Sequence, residues 1–426
     1  VWLARQDSDA RVLLTTFSDP LAYALQTRLY RLIHHQPRLA EQIEVHSLDA
    51  IALRIGRARF GRLKLAEPAR IRAWIAEAAE GVHMTRFTPN FLWEEWLNIL
   101  DAWQLDTWEA CQQVKRLGRK TRLSESQREI LWGIYAQVWQ KLGEQGLITQ
   151  AGVYAKLADL YARGERSPFA HVVVDEAQDI DVQQLRFLAA LGAGRANGLY
   201  FAGDLGQRIF RLPFSWAALG VNVRGRATTL RVNYRTSHQI RRQADRLLQS
   251  EIADVDGNVE SREGTVSVFN GPEPELRILS TEAEESEFVA EWMQALLEEG
   301  FQPPEIGIFV RSDAQLDRAR VAVAQAGLSA RLPSDPNTEA SLRKVTLGTM
   351  HVAKGLEFRA VAVMACDDEV IPLQERIENI GDSNDIEEVY NTERHLLYVA
   401  CTRARDRLLV TSTDPASEFL EDLLVN

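Results

Sequence analysis

Two hydrophobic patterns alternate along the chain. Short apolar runs closed by turn residues fall at 11–16, 43–45, 171–174, 198–202, 228–232, 265–269, 306–310, 344–347, 359–364 and 407–411. Such runs suit strands buried on both faces, as in a parallel sheet. Between them, apolar residues return every three or four positions over 20–34, 182–191, 284–299, 313–326 and 386–404, which predicts helices with one buried face. Positions 1–6 open on apolar residues with no capping residue before them and read as the end of a helix. The alternation predicts an α/β architecture. It is interrupted between 57 and 147, where strand-like runs disappear and Trp93, Trp96, Trp103, Trp108, Trp132 and Trp139 are concentrated. The spacing of Trp93 to Trp96 and of Trp132 to Trp139 puts each pair on one helical face, the signature of a helical core. Segments 271–274 and 333–337, rich in Pro with Gly or Ser, read as loops.

Composition narrows this picture only moderately. At 426 residues the chain exceeds one ordinary domain. Its 46% hydrophobic and 26% charged residues are those of a soluble globular protein, and no apolar run approaches the length of about 18 residues that a spanning helix needs. No signal peptide is recognised, so a cytoplasmic location without membrane partners is expected. Cys111, Cys366 and Cys401 are too scattered for a zinc site or a disulfide framework. The net charge of −11 argues against coating nucleic acid through bulk charge, although local basic surfaces can still guide a phosphate backbone.

The candidate chemistry lies where the apolar runs end. Asp175 and Glu176 follow the run 171–174, at the edge of an open α/β sheet where ligands bind. One carboxylate there can hold Mg²⁺ through water and the other can orient or deprotonate an attacking water. An acidic strand end that caps the next helix is the alternative. Gln207 follows the run 198–202, and an amide there can donate and accept at once, which suits a phosphate sensor. Arg208, Phe210, Arg211, Phe214 and Trp216 interleave cations and aromatics as a single-strand stacking platform does. Thr16, Phe17 and His46 end the first two strand-like runs and are candidates for backbone and base contacts, with capping and core packing as the alternative. The basic run Lys115, Arg116, Arg119, Lys120 and Arg122 is either a solvated face or a phosphate-contacting patch.

In order along the chain, Val174-Asp175-Glu176-Ala177-Gln178-Asp179, Ala202-Gly203-Asp204-Leu205-Gly206-Gln207, Asn233-Tyr234-Arg235, the segment from Thr349-Met350-His351 to Lys354-Gly355-Leu356-Glu357-Phe358, and the segment from Leu397-Tyr398 to Thr402-Arg403-Ala404 closely resemble motifs of the UvrD/Rep family of superfamily 1 DNA helicases. Segments 12–22 and 45–54 look like that family's two early DNA-contact motifs. The resemblance implies two RecA-like parallel-sheet motor lobes of the P-loop NTPase type with a helical insertion in the first: residues 1–56 and 148–236 as lobe 1A, 57–147 as a 1B-like insertion, and 237–426 as lobe 2A. It implies an ATP- and Mg²⁺-dependent translocase or helicase on single-stranded DNA or a partial duplex, moving 3′ to 5′, with ATP bound between the lobes. Asp175 would hold Mg²⁺, Glu176 would activate water, Gln207 would sense the γ-phosphate, and Arg235 and Arg403 would act as arginine fingers. Loss of one finger of this kind costs about 10³ to 10⁵ in rate. Gly355 and Glu357 would contact the nucleotide, and Thr16, Phe17, His46, Trp216, Thr349 and His351 would line the single-strand path. For His46 and His351 a satisfied structural role is the alternative. Asp19 stands where many relatives carry Asn, which removes an amide donor.

Two departures accompany the resemblance. No GxxxxGK[ST] phosphate loop occurs in the sequence, and the expectation is a truncated chain whose parent carries the loop, inactive as an ATPase by itself. Relatives often insert a large subdomain before the segment that matches 346–358, whereas only a loop around 334–343 is available here, too short to build a core. The rival reading of the whole is a non-hydrolysing nucleic-acid-binding or scaffold module that keeps the helicase fold. Against it stands the set Glu176, Gln207, Arg235 and Arg403, which a scaffold does not need.

Overall fold

The computed structural model describes residues 1–82, 87–114, 116, 123–207, 214–249, 251–253, 255–257, 259–261, 264–333, 335, 343–378 and 386–424. It divides into two compact units. The first holds 1–205, 210–226 and 254–258; the second holds 206–209, 227–253 and 259–426. Lobe 1A was expected to run to 236, whereas 227–236 groups with the second unit, where Val232 and Asn233 pair with Val266 and Ser267.

In the first unit, β1 (Val12–Thr16), β2 (Ile43–Ser47), β3 (His171–Val174) and β4 (Leu199–Phe201) form a parallel sheet in the order β2-β1-β3-β4. Both faces of β1 are covered, which is why it reads as a continuous apolar run, whereas Tyr200 of β4, at the end of that order, is exposed. Val12 packs with Ile33, Leu39 and Ile43 on one face. Leu13 packs with Leu48, Ile51, Val172, Val174 and Leu185 on the other. Ser47 ends β2 and caps the helix Leu48–Phe60, its hydroxyl accepting from Ala50 N at 3.1 Å. The chain leaves this sheet after that helix and returns through a parallel bridge between Leu65 and Ile148. Between those points lie the helices Pro68–Glu80, Pro89–Glu95, Trp108–Gln113 and Glu125–Glu144, with a π-helical segment at Trp96–Asp101. They enclose a core of their own. Trp93 and Trp96 are buried in it, and Trp103, Trp108, Trp132 and Trp139 pack against it, as the helical spacing requires.

Of the basic run, read as either a solvated face or a phosphate-contacting patch, Arg116 is the described member. The side chain of Arg116 is buried and forks onto Glu95, with both bonds at 2.7 Å, so it serves the insertion's interior. Lys115, Arg119, Lys120 and Arg122 lie outside the described residues, as do Arg208, Phe210, Arg211 and most of 334–343.

The second unit contains β5 (Val232–Asn233), β6 (Glu251–Ala253), β7 (Val259–Ser261), β8 (Val266–Ser267), β9 (Glu275–Leu279), β10 (Ile306–Val310), β11 (Ala330–Arg331), β12 (Val345–Thr349), β13 (Phe358–Val363) and β14 (Ala404–Thr413). Six of them form a parallel sheet in the order β11-β12-β10-β13-β14-β9. Every residue of β10 is buried. Ile306, Ile308 and Val310 face the helices Glu282–Glu298 and Leu316–Gln325, while Phe309 faces the helices His238–Ala244 and Ile386–Cys401. Strand β9 was not expected. Among the described residues it pairs only with β14, and it is largely exposed, so its hydrophobic pattern is weak. No described helix is long and apolar enough to cross a membrane.

Candidate nucleotide and nucleic-acid sites

In the first unit the site grows from the end of β3. Asp175 N donates to Thr15 O at 2.8 Å, extending the β1–β3 ladder by one bond. The next residue leaves the strand abruptly. Glu176 has φ +54° and ψ +43°, a left-handed conformation that non-glycine residues adopt at a cost and that clusters at functional sites. The surrounding bonds impose it: Ala202 N donates to Val174 O and Ala177 N to Ala202 O, both at 2.8 Å. Glu176 N donates to Asp175 Oδ1 at 3.0 Å.

Gln178, to which the motif pattern assigns no role, is the organising side chain. It is buried, at 7% exposure. Its Nε2 donates to Glu176 Oε2 at 2.6 Å, and its Oε1 accepts from Asp204 N at 3.1 Å. One amide thereby ties the acidic turn after β3 to the turn after β4. Gly203 makes room for it: a Cβ there would lie 2.5 Å from Gln178 Oε1 and 3.2 Å from the backbone nitrogens of Ala177 and Gln178. Glu176 is thus half-buried with its carboxylate held in one orientation, the condition for placing a water or accepting its proton. Asp175, half-buried beside it, offers the hard carboxylate oxygen that Mg²⁺ prefers, and Mg²⁺ needs only one or two such ligands because it keeps several waters. Among the described residues there is no group of three or more His, Cys, Asp or Glu fit to cage a metal.

In the second unit the helix Ile386–Cys401 delivers Arg403, a guanidinium that is 1% exposed. Its Nε donates to Val399 O at 2.9 Å, and one terminal nitrogen donates to Gln207 Oε1 at 3.0 Å and to Thr402 Oγ1 at 3.2 Å. Lys354 Nζ donates to the carbonyl of the same Gln207. Arg235 donates to Leu356 O at 2.6 Å and pairs with Glu357 at 2.9 Å, while Asn233 Oδ1 accepts from Arg235 N at 2.8 Å. The structure therefore brings two pairs together, Gln207 with Arg403 and Arg235 with Glu357. It adds Lys354, which lay within a recognised motif but carried no assigned role. Gly355 takes φ +78°, the left-handed turn that carries the chain from Lys354 into Leu356 and Glu357.

The expected single-strand path contains little charge. Thr16 is fully buried, and its hydroxyl is among the buried polar atoms without a hydrogen-bond partner. Phe17, Thr349 and Trp216 are half-buried. Trp216 meets Phe201 edge-on, with ring centroids 4.8 Å apart. His46 lies 3.2 Å from Arg54 and 3.5 Å from Glu44; burial, with Arg54 next, holds its imidazole below the usual range despite the carboxylate. His351 is pushed down to about 4 by burial and then by Arg311, so it is neutral at physiological pH. Arg311 itself forks onto the fully buried Glu393, with one bond at 2.6 Å. The carboxylate of Asp19 accepts from the Ser47 hydroxyl, so in this chain it braces the end of β2.

A family model described as the UvrD/REP helicase N-terminal domain matches residues 3–215, and a UvrD-like helicase C-terminal domain model matches 322–414. The chain belongs to the UvrD/Rep helicase family. Its parallel sheets and covering helices are those of the family's RecA-type motor domains. Among curated relatives it is 25% identical over 367 residues to DNA helicase IV of Escherichia coli (strain K12), covering 78% of this chain and 49% of that protein. It is 24% identical over 333 residues to the ATP-dependent DNA helicase UvrD2 of Mycobacterium tuberculosis (strain ATCC 25618 / H37Rv), covering 56% of this chain and 47% of that one. A shorter stretch of 80 residues, 19% of this chain and 9% of the relative, is 39% identical to the ATP-dependent DNA helicase UvrD1 of Mycobacterium leprae (strain TN). The chain spans about half the length of the relatives it matches broadly.

Proposed function

We propose that residues 1–426 are motor lobes of an ATP-dependent single-stranded DNA translocase or helicase that moves 3′ to 5′. The observation that carries this reading is the strained turn at Glu176, whose carboxylate is pre-oriented by Gln178, on a chain of a helicase family. A fold kept only for binding has no need of a left-handed glutamate clamped in one orientation.

In this reading Asp175 holds Mg²⁺ through its carboxylate, which supplies charge neutralisation at the phosphates, and Glu176 orients the attacking water. Gln207 answers to the presence of the terminal phosphate. Arg235 and Arg403 supply positive charge toward the transferring phosphoryl group, and Gly355 and Glu357 border the nucleotide. Thr16, Phe17, His46, Trp216, Thr349 and His351 belong to the single-strand path, the buried Thr16 through its backbone. Residues 57–147 act as the helical insertion, and a large insertion in the second lobe is absent or reduced to a loop, so translocation outperforms duplex unwinding.

The test separates binding from turnover. Residues 1–426 hold no GxxxxGK[ST] segment, so by themselves they are expected to bind oligo(dT) without robust hydrolysis. Joined to a phosphate loop they are expected to show Mg²⁺-dependent hydrolysis stimulated by single strands, which Glu176→Gln abolishes while binding persists. Failure to bind single strands would sink the translocase reading. Robust hydrolysis by residues 1–426 alone would overturn the need for the loop.

A further inference from the structure

Asp256 occupies the turn between β6 and β7, and that turn groups with the first unit. Its carboxylate is directed at a segment 40 residues earlier in the chain. Oδ1 accepts from the Ser215 hydroxyl, and Oδ2 accepts from Trp216 N at 2.7 Å and Ala217 N at 3.1 Å. The Ser215 oxygen in turn accepts from Ala218 N at 3.0 Å. Arg224 donates to the Asp256 carbonyl at 3.0 Å, fixing the turn's backbone as well.

These bonds do the work of a helix cap from a distance. The 3₁₀ turn Ala217–Leu219 opens on Trp216, whose own side chain makes no capping bond. Its leading N–H groups would otherwise lack acceptors. Asp256 supplies the acceptors that a preceding Ser, Thr, Asp or Asn supplies in a locally capped helix. Desolvation works against its ionisation, but the bonds from Ser215, Ala217 and Trp216 outweigh it and hold the carboxyl below the usual carboxylate range. The bonds are therefore charge-assisted at neutral pH, the stronger kind. Farther along, Val221 N donates to Trp216 O at 3.0 Å. The backbone of Trp216 is bonded on both sides, while its ring rests edge-on against Phe201 and stays partly exposed.

We propose that Asp256 is a positioning residue for Trp216, capping its turn from a distant part of the chain so that the indole is presented in one orientation to a base of single-stranded DNA. This rests on the reading of Trp216 as a base-stacking residue. Removing the cap frees two backbone N–H groups and the Ser215 hydroxyl and lets the indole sample orientations in which the stack is lost. The expected loss resembles that of deleting the ring itself.

The experiment uses residues 1–426 and fluorescent oligo(dT), with amide exchange read by mass spectrometry over 214–221. Asp256→Ala is expected to speed exchange in that segment and to weaken binding about tenfold, the scale of one lost base–aromatic stack. Asp256→Asn keeps an acceptor oxygen for the two backbone N–H groups and is expected to restore most of the affinity, a rescue that mere loss of folded protein would not give. Trp216→Ala is expected to weaken binding by a similar factor, and adding Asp256→Ala to it should cost nothing further. If Trp216→Ala weakens binding but Asp256→Ala leaves binding and exchange unchanged, or if the two losses multiply, the positioning role is overturned. If Trp216→Ala binds like the parent, the stacking reading itself fails, and the role assigned to Asp256 fails with it.

Discussion

Gly203 and Gln178 show how much of the acidic site depends on one small residue. The position has no side chain because Gln178 Oε1 would lie 2.5 Å from its Cβ, and that oxygen cannot swing aside without releasing Asp204 N and loosening Glu176. Gly203→Ala is therefore expected to destabilise the protein by about 1 to 3 kcal/mol, the usual cost of overpacking a tight site. Gln178→Ala in the same background should recover part of it. Urea unfolding of the two variants checks this, and an unshifted midpoint for Gly203→Ala would mean that the amide has freedom its bonds do not suggest. Neither residue announces its role in the sequence. Gln178 sits inside a recognisable motif, but one of its partners, Asp204 N, lies 26 residues away beyond another strand end.

Among the elements, the π-helical segment Trp96–Asp101 carries the clearest electrostatic consequence. It ends on Asp101, a buried carboxyl whose Oδ1 accepts from the Thr149 hydroxyl at 2.6 Å and from Gln104 Nε2 at 2.7 Å. Burial is the main cause that pushes it up to about 7, with Asp181 adding repulsion against the two hydrogen bonds. Between the ordinary value of 3.8 and about 7 the folded protein binds a proton that the unfolded chain has released, so stability falls as pH rises through that window and then levels off. Asp101→Asn keeps the accepting oxygen without the charge. It is expected to match the parent near pH 4 and to exceed it in stability at pH 8, which denaturant midpoints at the two values will read. Equal midpoints at both would show that Asp101 stays hydrated. The helical insertion was legible as an element because its tryptophans repeat at helical spacing, whereas the acid buried at its base was not, since burial is a property of the assembled core.

At the scale of the molecule, a net charge of −11 belongs to a protein proposed to bind a polyanion. The residues proposed for the path do not offset that charge: Thr16, Phe17, Trp216 and Thr349 carry none, burial holds the His46 imidazole below its usual range, and His351 is neutral at physiological pH. Binding to oligo(dT) is then expected to depend on stacking and hydrogen bonds more than on counterion release. Each phosphate neutralised contributes a slope of about −0.7 in log affinity against log salt. A slope shallower than about −3, reflecting roughly four phosphates or fewer, is expected between about 50 and 200 mM salt. A much steeper slope would point to a cation-lined path and count against this set of residues.

By itself the sequence determined the α/β alternation, the two sheet-bearing regions with a helical insertion, and the family, because buried parallel strands and amphipathic helices write their periods directly into the chain. It also determined which residue types stand at the strand ends. Only the tertiary structure decided what those residues do to one another. Arg116 read as part of a basic run and became the buried partner of Glu95; β9 pairs at an edge, where burial leaves almost no pattern. Glu176 is forced into a left-handed turn by bonds to Ala202, just beyond β4, and Trp216 is capped by Asp256 from 40 residues away. Periodicity reports how each residue meets its near neighbours and the core, whereas hydrogen bonds between distant segments depend on where the folded backbone brings their atoms, which no local pattern records.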